Sequence, residues 1–218
     1  MNVDVSAFIF DLDGVLTDTS EYHYLAWKRL ADEEGLPFTR ADNEALRGVS
    51  RRESLRRLLK DRVVDEATAL AWMERKNTYY LGYLEGITTA NLLPGAREFL
   101  QSARARGVRL GIGSASRNAL TVLEKLDILP LLDGVGDGYS VVHTKPAPDL
   151  FLWVAGCLQA PAACCVVFED AEAGVEAAHS AGMKCVGVGP AERVGAADLV
   201  CTGLADLTVE QALALLAE

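Results

Sequence analysis

Four short apolar runs rich in β-branched residues punctuate the chain, each followed by a turn and then by a helical pattern. They are Val5 to Phe10, Val108 to Ile112, Cys164 to Phe168 and Lys184 to Val188, with a weaker fifth at Asp198 to Cys201. Continuous apolar runs of this length suit strands covered on both faces of a parallel sheet. The stretches between them carry readable helix ends. Pro94 stands at an expected first helical position, and Gly107 closes that helix ahead of the second strand. Pro146 and Pro148 open a helix through Phe151, Val154 and Leu158. A further helix follows Glu169-Asp170 and runs through Val175 and Ala178 to Gly182. Strand alternating with helix predicts an α/β, doubly wound (Rossmann-like) parallel sheet.

Residues 18–88 break that rhythm and read as helix throughout. Their apolar residues recur at helical spacing: Leu25, Trp27 and Leu30; Leu55, Leu58 and Leu59; Leu70, Trp72 and Met73; Tyr79, Leu81 and Leu84. Asp18 with Glu21 reads as a capping box that starts this block. The expectation is an inserted all-helical cap domain, 18–88, on a core of residues 1–17 and 89–218. The two units should join near Thr17 and again between Gly86 and Asn91.

Composition narrows the picture. With 218 residues, half of them apolar, the chain can bury a large core plus a small second unit. A net charge of −10 argues against nucleic acid, whose binding rests on Lys and Arg neutralising phosphates. A small phosphate remains possible where cations gather locally. The N-terminal segment has no basic start, and Asp11 and Asp13 interrupt its apolar run. No stretch reaches the roughly 18 to 20 clean apolar residues of a membrane span, so a cytoplasmic protein with no membrane partner is expected. The five cysteines have no zinc spacing and read as small buried hydrophobes in a reducing compartment. His143 reads as structural, and the stretch Gly134 to Val142 carries no usable signal.

Candidate chemistry lies at the ends of the predicted strands. In Phe10-Asp11-Leu12-Asp13-Gly14 the alternation of an extended segment puts Asp11 and Asp13 on one side. Two such carboxylates repel unless a proton or cation sits between them. Gly113-Ser114-Ala115-Ser116 offers hydroxyls and N–H groups for an anion. Lys145 lies before the stiff Pro146-Ala147-Pro148. Glu169-Asp170 closes the fourth strand, and hard carboxylate oxygens suit Mg²⁺. Taken singly, these are also a solvated turn, an ordinary N-cap and a surface lysine. Their conjunction and order carry the reading.

With those motifs in that order the chain resembles the haloacid dehalogenase superfamily of phosphotransferases. The resemblance implies that Asp11 attacks phosphorus and becomes an aspartyl phosphate and that Asp13 is the general acid/base. It implies further that Ser114 and Lys145 hold the transferring group, and that Asp11, Asp13, Glu169 and Asp170 bind one Mg²⁺. Three cap features resemble the β-phosphoglucomutase branch. His23 and Trp27 follow Thr17-Asp18-Thr19-Ser20-Glu21-Tyr22, and the His of that branch couples cap closure to the general acid. Gly48-Val49-Ser50-Arg51 with Ser54 resembles the loop whose Arg clamps a distal phosphate. Arg75-Lys76-Asn77 resembles the segment whose Lys76-equivalent reaches the site on closure. Ser114, Ala115, Ser116, Arg117 and Asn118 match the branch's phosphate loop, except that a Lys is usual where Arg117 stands.

A mutase must hold a bisphosphate at both ends. Ser114 and Lys145 form one phosphate site, and Arg51 with Ser116, Arg117 and Asn118 can form the other. The resemblance therefore implies an isomerase of carbohydrate metabolism. It would interconvert β-D-glucose 1-phosphate and glucose 6-phosphate through β-glucose 1,6-bisphosphate, and act as a monomer on a small-molecule substrate. The alternative is a Mg²⁺-dependent sugar-phosphate phosphatase of the same superfamily.

Overall fold

The computed structural model describes residues 5–217. The chain runs through β1 (Ala7–Phe10), then four helices, α1 (Ser20–Glu33), α2 (Arg40–Glu44), α3 (Arg51–Leu59) and α4 (Glu66–Leu84). It continues with α5 (Ala96–Ala105), β2 (Arg109–Gly113), α6 (Ala119–Lys125), β3 (Gly134–Gly136), α7 (Asp149–Cys157) and β4 (Cys165–Glu169). It ends with α8 (Glu172–Ser180), β5 (Lys184–Val188), α9 (Ala191–Val194), β6 (Leu199–Cys201) and α10 (Val209–Ala214). The strands form one parallel sheet in the order β3-β2-β1-β4-β5-β6. This is the doubly wound sheet expected from the alternation of runs.

The sheet has a sixth strand that the hydrophobic pattern did not announce. β3 is only Gly134-Val135-Gly136, paired with Gly111 to Gly113 of β2. Neither glycine carries the branched side chain that marks a strand in sequence. A Cβ on Gly136 would lie 2.6 Å from Val154 Cγ2, so the bare backbone is what lets α7 pack onto this edge.

Alternation along β1 sorts its residues between two layers. Phe8 and Phe10 join Phe168 and Phe99 on one face, with the Phe10 and Phe168 rings stacked at 4.4 Å. Ala7 and Ile9 face the other way, against Val167, Phe151 and Val154. Both faces of the central strands are thus dry, as their unbroken apolar runs require.

Helices α1 to α4 gather around a third core containing Trp27, Leu30, Leu55, Leu58, Trp72 and Met73. They are four separate helices rather than helix throughout, and Leu70 and Leu81 are exposed rather than packed. The capping box expected at Asp18 and Glu21 does not form. Glu21 is held instead by a bidentate pair with Arg40 (2.6 and 2.8 Å), and Asp18 accepts from the Ser20 N–H at 3.0 Å. The box does occur at Thr39 with Asp42, starting α2. Helix α5 begins at Ala96, two residues beyond Pro94, while Gly107 (φ 78°) ends it as expected. Cys165 and Cys185 are buried, but Cys157 is exposed and Cys164 and Cys201 are half-buried; all five are free thiols. His143 is exposed, so nothing packs around it in a structural role.

The chain leaves the sheet for the helices and returns from them side by side. Thr17 Oγ1 donates to the Asn91 carbonyl at 2.8 Å, and the Leu93 N–H donates to the Leu16 carbonyl at 2.9 Å. Among the described residues, no helix is long and apolar enough to cross a membrane.

Phe168 lies at the centre of the aromatic layer, in contact with three other rings. Truncation there leaves a cavity that rigid strands cannot close. Phe168→Ala should lower the free energy of unfolding in urea by about 3 to 5 kcal/mol; a loss under about 1 kcal/mol would place the core elsewhere.

Candidate active site

The strand order reverses between β1 and β4, and ligands in such sheets bind in the crevice at the carboxyl ends of the strands there. Asp11 follows β1 directly and its N–H donates to the Phe168 carbonyl at 2.9 Å. Glu169 ends β4 and Asp170 follows it. Strand pairing alone therefore forces three carboxylates together, and Asp13 joins them two residues beyond Asp11.

One buried cation answers this charge. Lys145 Nζ donates to Asp11 and, at 2.5 Å, to Glu169 Oε1, in a pocket closed to solvent. Burial works against its charge, but Asp11 and Glu169 outweigh burial and hold the lysine pKa above its usual value. The other Glu169 oxygen accepts from the Ala171 N–H at 2.8 Å. A Cβ on Gly174 would fall 1.9 Å from that carboxyl, so only glycine lets α8 start so close. Lys145 reaches Asp11 from a loop that leaves β3, the strand hidden in the sequence.

One lysine does not balance four carboxylates. Burial first, and then the Asp11 charge, push Asp13 up to about 6 although Thr19 donates to it. Burial and Asp11 likewise push Asp170 up, against the opposing guanidinium groups of Arg47 and Arg193. Arg47 Nη1 contacts Asp170 Oδ2 at 3.0 Å from the loop between α2 and α3, and Arg193 Nη2 lies at 3.8 Å. Gly14 (φ 85°) permits this packing, since a Cβ there would sit 2.3 Å from the same oxygen.

The helices α1 to α4 close over this acidic centre and bring positive charge to the opposite side. His23 and Lys76 meet at 2.8 Å through Nδ1 and Nζ. Burial, then Lys76 and Arg51, hold the His23 pKa well below its usual value. Its Nε2 faces Asp13 Oδ2 at 3.9 Å, and a neutral ring whose Nδ1 accepts from Lys76 would carry its proton there. Arg51 Nη2 donates to Asn77 Oδ1 at 2.8 Å, and Asn118 Nδ2 donates to the same oxygen at 2.9 Å. Arg117 is exposed at the rim, its guanidinium 4.8 Å above the Tyr139 ring.

These groups line one open cavity between the helices and the carboxyl ends of the strands, the kind of concave site in which small molecules bind. Of the residues singled out from sequence, Asp11, Asp13, His23, Trp27, Gly48, Val49, Arg51, Ser54 and Lys76 line it. So do Ser114, Ala115, Ser116, Arg117, Asn118 and Asp170. Three do not. Lys145 lies beneath Asp11, and Glu169 has both oxygens engaged and reaches the cavity only through Lys145. Ser50 caps α3, accepting from the Glu53 N–H at 3.2 Å. The cavity also takes in Ser20, Asn43, Leu46 and Arg47, which sequence reasoning passed over. Arg47 immediately precedes the Gly48-Val49-Ser50-Arg51 motif, the one signal that could have marked it.

Comparison with known proteins fits this geometry. The profile of the haloacid dehalogenase-like hydrolases matches residues 5–182, most of the chain. The chain belongs to that family. Within it, the sequence is 41% identical to a β-phosphoglucomutase of Bacillus subtilis, over 94% of this chain and 93% of the relative. A phosphorylated carbohydrates phosphatase of Thermotoga maritima is 32% identical over 83% of each chain. The crystal structure of a β-phosphoglucomutase from Clostridium difficile superposes with a TM-score of 0.94 at 38% identity, covering 98% of this chain and 97% of that one.

The family resemblance implies Mg²⁺, and the donor set fits it. Asp11, Asp13 and Asp170 present hard oxygens to one cavity, and burial first, then the Asp11 charge, raises the pKa of the latter two. Among the described residues no three His, Cys, Asp or Glu side chains stand together as a group that could hold a metal ion by themselves. Mg²⁺ would therefore need ligands from water and from a bound phosphate besides these carboxylates.

The raised Asp13 pKa fixes a sign for stability. A carboxyl that binds its proton more tightly in the fold supports folding below its ordinary pKa of 3.8. That support is lost as pH rises through about 6. With EDTA present, Asp13→Asn should therefore gain on the wild type between pH 4 and pH 6 and keep a constant lead above. About a quarter of the Asp13 side chain meets solvent, which trims the lead to about 1 to 2 kcal/mol. Excess Mg²⁺ should shrink it. Urea unfolding across this pH range is the check, and a pH-independent difference would count against the assignment.

Proposed function

We propose that the chain is a phosphomutase that interconverts β-D-glucose 1-phosphate and glucose 6-phosphate through an aspartyl phosphate on Asp11 and β-glucose 1,6-bisphosphate. The observation that carries this reading is the two-poled cavity. A carboxylate centre with Lys145 lies on the sheet side, Arg51 and Lys76 face it from the helices, and Asn118, also on the sheet side, shares the Asn77 oxygen with Arg51. A ligand with phosphate at both ends matches that arrangement, whereas a monophosphate needs only the first pole. The 41% identity to a β-phosphoglucomutase supports the same reaction.

In this reading Asp11 attacks phosphorus, and Lys145 beside it offsets the repulsion between two anions. Mg²⁺ held by Asp11, Asp13 and Asp170 supplies further positive charge to the transferring group when bound. Ser114 holds that group from the end of β2. Asp13 takes the proton from the accepting hydroxyl. Residues 18–88 act as a cap domain on the core of residues 1–17 and 89–218, and closure excludes water from the phosphoenzyme. Lys76 holds His23 in the tautomer whose Nε2–H faces Asp13, which ties the cap to the acid/base. Trp27, Gly48, Val49 and Ser54 meet the sugar. Arg51, Ser116, Arg117 and Asn118 grip the distal phosphate. The chain acts as a monomer in this reading, and five free thiols suit a reducing cytoplasm.

A second reading, a sugar-phosphate phosphatase, is favoured by the 32% identity to the Thermotoga maritima enzyme. Incubation with β-glucose 1-phosphate, Mg²⁺ and a bisphosphate primer separates the two. Glucose 6-phosphate should exceed free phosphate, and the reverse ratio supports the phosphatase. Asp11→Asn should abolish turnover of either kind, since an amide cannot form the phosphoenzyme; activity within tenfold of wild type removes Asp11 as nucleophile. Arg51→Ala should slow the mutase reaction at least roughly tenfold, the loss of a charge-assisted contact worth about 1.5 to 3 kcal/mol. Cleavage of acetyl phosphate, which has no second phosphate, should fall much less, and the hydrolysed fraction should rise. Equal losses in both reactions would remove Arg51 as the distal clamp.

A further inference from the structure

Asn77 does not line the cavity, yet two of the groups that do are fixed by it. Its Oδ1 accepts from Arg51 Nη2 at 2.8 Å and from Asn118 Nδ2 at 2.9 Å. The three residues come from different places in the fold. Arg51 starts α3, Asn77 lies in α4, and Asn118 stands at the head of α6 on the sheet side. A single neutral oxygen thus gathers a guanidinium and a carboxamide from opposite walls of the cleft.

This is the work a phosphate oxygen would do between the same two donors. Arg51 makes no other side-chain hydrogen bond among the described residues. After burial, the like charge of Arg117 does most to lower its pKa, and the two guanidinium groups repel. An arginine left free carries about 2 kcal/mol of rotamer entropy that a ligand must overcome on binding. Holding the guanidinium in place beforehand lowers that cost. The acceptor is also of the right kind. A neutral amide oxygen holds Arg51 without neutralising it, whereas a carboxylate at this position would compete with an incoming phosphate.

We propose that Asn77 is a positioning residue for the distal phosphate site: its side-chain oxygen converges Arg51 and Asn118 on the ligand and draws α4 onto the sheet side of the cleft. The proposal rests on the reading of Arg51 as the distal clamp.

The test measures binding of β-glucose 1,6-bisphosphate by calorimetry in an Asp11→Asn background, where turnover cannot intrude. Asn77→Ala should weaken binding roughly three- to tenfold, the scale of one lost hydrogen bond between buried partners. Asn77→Asp keeps an acceptor but adds a charge, and should weaken it at least as much. Asn77→Ala should keep the wild-type circular dichroism spectrum and nearly the wild-type urea midpoint, which a general loss of structure would not allow. Arg51→Ala should weaken bisphosphate binding more than tenfold, and adding Asn77→Ala to it should cost clearly less than Asn77→Ala costs when Arg51 is present. If Arg51→Ala binds as wild type does, the clamp reading fails and the role of Asn77 falls with it. If Arg51→Ala weakens binding and Asn77→Ala does not, the clamp stands and the Asn77 proposal is overturned. Additive losses in the double variant also overturn it, because Asn77 would then act by another route.

Discussion

The repulsion among four carboxylates at the ends of β1 and β4 is the constraint around which this molecule is arranged. The pairing of two fully buried strands leaves Asp11, Glu169 and Asp170 no freedom to separate, and Asp13 follows on the same side. A fold selected for stability alone would not place them so. Each nearby device answers that charge. Lys145 is shut in beneath Asp11 and Glu169, Thr19 donates to Asp13, and two arginines approach Asp170. Two glycines, Gly14 and Gly174, open the space these contacts need. The raised pKa values that remain are the residue of a problem the protein groups alone leave unsolved, a common mark of a reactive centre.

The helices over the sheet solve a different problem. Their cations stand near one another without carboxylates to pair with inside the cleft, and burial disfavours their charge. Lys76 and His23 are both held below their usual pKa for this reason. The two walls of the cavity are therefore unsatisfied in opposite senses, and a dianionic ligand lying between them relieves both at once. Arg47 is the exception, reaching across to Asp170 and joining the walls directly.

How much of this was legible in the sequence depended on whether the signal was local. Strands such as Cys165 to Glu169 announced themselves because burial on both faces demands an unbroken apolar run. Asp11 and Asp13 were readable because alternation puts neighbours two apart on one side. β3 was not, because the tight seat of α7 demands glycines that erase the usual strand signature. Leu70 and Leu81 fitted the helical period yet ended exposed, since period marks a face without saying whether anything covers it. Arg47 and Asn77 act through partners 123 and 41 residues away, and no pattern along the chain encodes such a meeting. Asp18 and Glu21 had the spacing of a capping box, but Arg40, 19 residues on from Glu21, offered a stronger partner.

The pairing of Thr17 with Asn91 and of Leu16 with Leu93 has a consequence for how this architecture can diversify. Both ends of the inserted helices are pinned at a single point on the rim of the sheet. To the sheet, the whole of α1 to α4 is equivalent to one hairpin loop, and lengthening a loop between fixed ends costs little and grows slowly with its length. The insert can be enlarged, shortened or exchanged for another fold without disturbing a strand register, provided that the contacts of Thr19 and Arg47 to the acidic centre are replaced. In the proposed function, the sugar contacts of the helices and the phosphoryl chemistry of Asp11 and Asp13 would thereby be carried on separable pieces of chain, free to vary at different rates.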